Sequence, residues 1–243
     1  MNLLKFEWRK LWRQKSLYIC FGIGLLIITL AMLTSKTFNT LTDAVNTMFV
    51  VLSTGFTSFL GIFMAVFVCH DFSQQTIKNV YARGYQRTTV YFAKYFISLV
   101  ATLLMVLLYL AYGFVLSLML GGEVGSLLGW QWGALALQVW SIIGFHGLFF
   151  GVGMLLTKVG GTVALNLVGI SFCFQILNLI FVLLEIDFNI LDFSLETLFT
   201  DILNTLIDNR ITTKLVTRAV ILPFAYVVIF VGAGWYVNQR RDV

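Results

Sequence analysis

Residues 49–69 read FVVLSTGFTSFLGIFMAVFVC, and residues 70–87 read HDFSQQTIKNVYARGYQR. The first run carries no charge and is long enough to cross a hydrocarbon layer as a helix, which takes about 20 mostly apolar residues. The second holds Asp71, Lys78, Arg83 and Arg87 in sequence of helical character, breaks at Gly84, and leads through Lys94 into another apolar run. An apolar span, a charged turn and a second span set the class as an all-α integral membrane protein.

The composition agrees. With 59% hydrophobic and 11% charged residues, the 243-residue chain has too few polar groups to coat a soluble globule. Its mean hydropathy is +0.91. Six spans are predicted, at Ser16 to Thr34, Phe49 to Cys69, Tyr95 to Leu120, Gly133 to Thr157, Thr162 to Leu184 and Val216 to Val237. Short polar connections join them, with no repeat or low-complexity tract, so residues 1–243 read as a single transmembrane domain.

Charge sets the orientation. With the N-terminus in the cytoplasm, an even number of spans brings the C-terminus there too. The inner set then holds Lys5, Arg9, Lys10, Arg13, Lys15, Lys78, Arg83, Arg87, Lys94, Lys158, Arg240 and Arg241, leaving only Lys36, Arg210, Lys214 and Arg218 outside. Asp43, Glu123, Glu185, Asp187, Asp192, Glu196, Asp201 and Asp208 all map outside. The net charge of +5 is thus a topology signal, and no nucleic-acid partner is expected.

At the N-terminus, residues 1–15, basic residues precede an apolar run, as in a secretory signal. The run is long enough to span and no small-x-small site ends it, so an uncleaved anchor is expected. Leu4, Trp8, Leu11 and Trp12 recur at helical spacing, while Lys5, Arg9 and Arg13 recur on another face. This describes an amphipathic helix in the inner interface, its rings at headgroup depth and its cations toward anionic lipid. A plain basic anchor is the alternative.

Chemistry-bearing motifs are few. Cys20, Cys69 and Cys173 sit in or at the ends of different spans, without the spacing of a metal or disulfide framework. The sequence has no G-x-x-x-x-G-K-[ST], G-x-S-x-G or H-E-x-x-H motif, so no catalytic residue, metal site or cofactor is assigned to it. His146 lies mid-span, where an ionisable side chain is a functional candidate; hydrogen bonding to a neighbouring helix is the simpler reading. Gln138, Asn166, Gln175 and Asn178 are the other intramembrane polar groups. They serve as glue between helices or, if they line a path, suit amphipathic cargo better than small ions. Gly144, Gly147 and Gly151 share one helical face and are expected to allow close packing within the bundle.

Between the last two spans, residues 185–210 are too polar to cross and too apolar to float. Phe188, Leu191, Leu195, Leu198, Ile202 and Leu206 recur at steps of three and four, away from Asp192 and Glu196. One amphipathic helix, or two short ones, in the outer interface fits this pattern. The loop at residues 70–94 is longer than the 2–8 residues or so that an antiparallel helix turn commonly needs, which points to a soluble partner docking there.

The run Asp71-Phe72-x-x-x-Thr76-Ile77-Lys78-Asn79, then Arg83-Gly84-x-x-Arg87 and Tyr91-x-x-Lys94-Tyr95, resembles the region between the second and third spans of ABC-2 type transporter permeases. Gln75 departs from the pattern, standing where many relatives have Gly. The opening Phe6-Glu7-Trp8-x-Lys10-Leu11 is similar to that family's elbow helix, which here includes Trp8, Arg9, Trp12 and Arg13. The six-span plan is shared as well, so the likeness extends over the chain, though only the loop is of motif grade.

The resemblance implies a small bacterial permease of the plasma membrane. A second permease, identical or not, would pair with it, and separate ABC-type ATPase subunits would carry ATP and Mg and drive export of peptide, antibiotic or lipid-like cargo. It casts Asp71, Thr76, Lys78, Arg83, Gly84, Arg87 and Lys94 as parts of a coupling element that docks into the ATPase, and residues 185–210 as an outer lid. The narrower likeness is to permeases of antimicrobial-peptide resistance, immunity or peptide export. An ion-coupled secondary transporter is the alternative, followed by a channel and by a lipid-acting membrane enzyme. The first would need a mid-span carboxylate, and none is apparent; the second, a polar or charged ring contributed by an oligomer; the third, clustered acid and His groups, to which only His70 with Asp71 comes close.

Overall fold

The computed structural model describes residues 3–34, 55–119, 129–185, 188–208 and 212–241, which are 92% helical and contain no strand. The helices are α1 Leu3–Arg13, α2 Lys15–Thr34, α3 Thr57–Ser73, α4 Thr76–Ala82, α5 Arg87–Met119 and α6 Gly129–Leu156. They continue with α7 Val159–Leu183, α8 Leu195–Asp208 and α9 Thr213–Arg240. A 3₁₀ turn, Ile190–Phe193, precedes α8.

Five of these (α2, α5, α6, α7 and α9) are long and apolar enough to cross a membrane. Of the second predicted span, residues 49–54 lie outside the described residues, and what is described is the apolar 17-residue α3. Several helices overrun their expected limits at the basic end. Helix α5 starts at Arg87 rather than Tyr95, α7 at Val159 rather than Thr162, and α9 runs on to Arg240. The apolar run marks where lipid ends, whereas backbone hydrogen bonding carries the helix on into the polar layer. At 33 residues α5 is about 50 Å long, well beyond a hydrocarbon core of about 30 Å.

Helix α6 is the hub. Most of it is buried, against α3, α8 and α9. Its small-residue face meets the last span as expected. A Cβ added to Gly144 would lie 2.8 Å from Pro223 Cα, one on Gly147 3.0 Å from Val227 Cα, and one on Gly151 2.5 Å from Phe230 O. Pro223 sits inside α9 and removes a backbone donor, and a π-helical turn, Val227–Val231, follows it. The glycines therefore face the irregular part of α9, where its backbone comes closest.

At the opposite end, α8 turns Leu195, Leu198, Phe199 and Ile202 inward, with Phe199 edge-on to Phe145 at 5.3 Å. The apolar face expected of residues 185–210 thus packs largely on the bundle rather than on lipid. Phe188 stays exposed, and residues 186–187 and 209–210 lie outside the described residues. Helix α1 divides its apolar stripe. Leu3 and Leu11 are buried together with Glu7, while Leu4 and Trp12 face outward.

Gly151→Leu is expected to force α6 and α9 apart and destabilise the fold by about 3 kcal/mol, the upper end for overpacking. Gly22→Leu, on a residue with nothing within 4 Å of its added Cβ, is the control and should leave the melting temperature in detergent unchanged.

Candidate functional site

Asp71 lies beyond the apolar run that ends at Cys69, in the last turn of α3, and is buried. Its Oδ1 accepts from Lys10 Nζ of α1 and, at 2.9 Å, from Thr76 Oγ1 at the start of α4. Its Oδ2 accepts from Lys94 Nζ of α5. Four helices thus converge on one carboxylate. Lys94 is only 1% exposed, lies 5.5 Å over the Phe67 ring, and also reaches the Val68 carbonyl at 3.4 Å. An ammonium beside the last carbonyls of α3 is stabilised by the helix dipole as well as by Asp71.

Burial alone would raise the Asp71 carboxyl, but Lys94 and Lys10 outweigh it and hold the group well below the usual carboxylate range. Lys10 is pushed down by its own burial and by Lys94, against the pull of Asp71 and Glu7. Glu7 is buried close by, and its Oε2 has no hydrogen-bond partner among the described residues. Asp71, Lys10 and Lys94 therefore form one hydrogen-bonded cluster, with Glu7 beside Lys10.

The chain between α3 and α5 is shaped by two left-handed residues. Gln75 has φ 54° and Gly84 φ 85°. A glycine adopts that conformation without cost, which accounts for Gly at the Gln75 position in the resembling pattern. Between them α4 buries Ile77 and exposes Lys78 and Asn79, and Arg83 is exposed beyond its end. Arg87 turns instead to the C-terminal tail, donating to the Gln239 carbonyl at 3.1 Å and stacking over Tyr81 at 5.6 Å. Arg241 in turn donates to the carbonyls of Met154 and Leu155 at 3.0 and 2.9 Å, capping the end of α6.

The sequence-predicted residues thus separate into groups. Asp71, Thr76 and Lys94 meet in the cluster, Lys78 and Arg83 form an exposed edge, and Arg87 holds the tail. On α1, Trp8 and Trp12 lie edge to face at 5.8 Å, with Arg9 and Arg13 exposed beside them. The mid-span polar residues are dispersed. Gln138 is buried in α6, Gln175 is exposed on α7, and Asn178 is half-buried there. His146 Nε2 lies 3.0 Å from Ser98 Oγ. The same hydroxyl lies 2.9 Å from the Tyr95 carbonyl, so the contact is a tie between α6 and α5.

Asn166 behaves differently. It sits in a π-helical turn of α7, Leu165–Gly169, and donates to the Gly61 carbonyl at 3.0 Å, while its Oδ1 has no partner among the described residues. It lines a narrow cleft of ≈ 30 Å³ with Thr57, Ser58, Ser171, Ser194 and Glu196. Sequence reading left Lys10 and Arg241 among the general basic residues, without a site role. Lys10 had a signal, since the Leu3, Glu7, Leu11 spacing turns it toward the protein; Arg241 had none.

A family model described as ABC-2 family transporter protein matches residues 3–155, which takes in α1 to α5, nearly all of α6, and Lys10, Asp71, Thr76 and Lys94. Comparison with curated proteins gives no match.

Asp71→Asn strands the Lys94 charge in a buried site and is expected to cost about 3–5 kcal/mol. Pairing Asp71→Leu with Lys94→Met should recover most of that, as a double-mutant cycle on thermal unfolding in detergent would read. Because the folded carboxyl titrates below its unfolded value of about 3.9, the cluster's contribution is complete above that pH. It is lost as acidification proceeds toward the folded value, and Asp71→Asn should flatten this part of the pH–stability profile.

Proposed function

The chain belongs to the ABC-2 family of transporter proteins, the membrane permeases of ABC transporters, and on that premise we propose that it exports amphipathic cargo across a bacterial plasma membrane with a separate ATPase subunit. In this reading six spans cross the bilayer, with α3 as the inner part of the second and both termini in the cytoplasm. A second permease, identical or different, completes the pathway. The cargo is peptide, antibiotic or lipid-like, in keeping with the uncharged mid-span polar groups Gln138, Asn166, Gln175 and Asn178.

The observation that carries the reading is the convergence of α1, α3, α4 and α5 on Asp71. A subunit that does not hydrolyse ATP itself must receive work through a rigid inner element joined to the spans it moves. Helix α4 serves as that coupling helix, with Lys78 and Arg83 presented to the ATPase. Asp71, Lys94 and Lys10 act behind it, passing its displacement to α3 and α5 and to the elbow helix α1. Gly84 allows the tight return, and Arg87 anchors the tail. The outer lid in this scheme is α8 with the turn before it.

Charge reversal at Arg83, alone or with Lys78→Glu, is expected to weaken copurification of the ATPase about tenfold, the scale of a lost rim charge pair at low salt. Membrane insertion and thermal stability should be unchanged. ATPase binding and cargo-stimulated hydrolysis equal to wild type would sink the coupling role. Transport driven by an ion gradient without any ATPase would replace it with the secondary-transporter reading.

A further inference from the structure

At the basic end, α1, α2 and the middle of α5 enclose a groove of ≈ 170 Å³. Its lining is wholly aromatic and aliphatic, with Leu11, Leu17 and Met105 as the buried floor and Trp12, Tyr18 and Leu108 as exposed walls. The mouth is fixed by a cross-link over the break between α1 and α2. Tyr18 donates its hydroxyl to the Trp12 carbonyl at 2.8 Å, and the two rings lie 6.4 Å apart. Since that bond occupies the hydroxyl proton, the ring walls the groove with its apolar face.

Arg9 and Arg13 stand on α1 directly beside Trp8 and Trp12, both exposed, and neither has an ion-pair partner among the described residues. Lys10 and Lys94 are instead engaged with Asp71, and Arg87 and Arg241 with backbone carbonyls. A slot lined only by apolar side chains, with two exposed guanidinium groups on the adjoining face of α1, matches one ligand chemistry. That chemistry is an acyl chain joined to an anionic headgroup.

We propose that the groove between α1, α2 and α5 is a binding site for one anionic phospholipid, its acyl chain against Leu17, Tyr18 and Leu108 and its phosphate on Arg9 and Arg13. Guanidinium groups suit a phosphate through paired N–H donors, and the low dielectric of the headgroup boundary strengthens the contact. The bound lipid fills the gap between the inward and outward faces of α1 and fastens that helix to α2 and α5. The groove shares no lining residue with the edge at Lys78 and Arg83, so it holds or fails independently of the transport reading.

The full chain, purified in detergent, is titrated with dioleoylphosphatidylglycerol and separately with dioleoylphosphatidylcholine, and bound lipid is counted by native mass spectrometry alongside thermal shift. Wild type is expected to retain the anionic lipid at about tenfold lower concentration than the zwitterionic one, the scale two cations supply. Arg9→Gln with Arg13→Gln should abolish that preference while leaving the melting temperature without lipid unchanged. Leu108→Trp, which fills the slot from an exposed wall, should reduce binding of both lipids. Equal binding of the two lipids by wild type, or anionic binding untouched by both variants, would overturn the proposal. A dimer that Leu108→Trp disperses would assign the groove to a second copy of the chain instead.

Discussion

A carboxylate shared by two lysines holds the basic end of this molecule together. Asp71 is taken from water, and so is Lys94; either charge alone in such a place is strongly unfavourable. Each is the other's partner, and Lys10 and Thr76 also donate to the carboxylate. The arrangement constrains geometry more than it adds net stability, since a hydrophobic replacement of equal volume often does as well. Its value lies in direction: the carboxylate fixes the end of α3 against α5, the start of α4 and the inner face of α1 at once. Few apolar contacts could set four helix ends with such specificity.

A second constraint joins this end to the rest. Helix α6 runs through the bundle with glycines where α9 is bent, and Gly153 brings it against Val68, one turn from Asp71. Arg241, at the end of α9, returns to cap α6 and stacks over Phe72 at 5.4 Å. The C-terminal tail, α6 and the Asp71 turn therefore form one closed circuit of contacts. A displacement at α4 meets a stiff frame rather than a set of independent rods, which is the mechanical condition for coupling.

Much of the fold was legible because membranes leave little choice: in hydrocarbon the backbone must satisfy itself, so apolar runs become helices. The glycine face of α6 was readable from its spacing alone. Where helices end was not, because Arg87 to Lys94 carry two cations and two threonines yet are helical, and hydropathy sees only the first property. The Asp71 cluster was half legible. The loop pattern picked out Asp71, Thr76 and Lys94, but the partner from α1 lies 61 residues away, and no periodicity reports a contact at that separation. The same reading treated these charges as a surface offered to a partner, whereas Asp71 and Lys94 face each other inside and only Lys78 and Arg83 remain outward. Arg241 was out of reach for a related reason: its partners are backbone carbonyls, which carry no side-chain signature.

The contrast between α6 and α7 extends the argument to motion. Helix α6 is buried along most of its length, but the second half of α7, Ile170–Leu183, has no buried residue. What ties α7 to the bundle is its first part, where Thr162 contacts Cys69 at 3.3 Å and Asn166 reaches Gly61 over α3. The π-helical turn falls at this boundary, and such turns recur at functional sites and at bends in helices. Segments with few buried contacts move at the least cost in free energy. The element anchored near Asp71 by α3, loose beyond Asn166, and bordering the polar cleft is therefore the one whose displacement disturbs the rest least. A stiff inner frame and a compliant α7 stand on either side of that cleft, and relative movement between them would change its width without breaking the contacts that hold the fold.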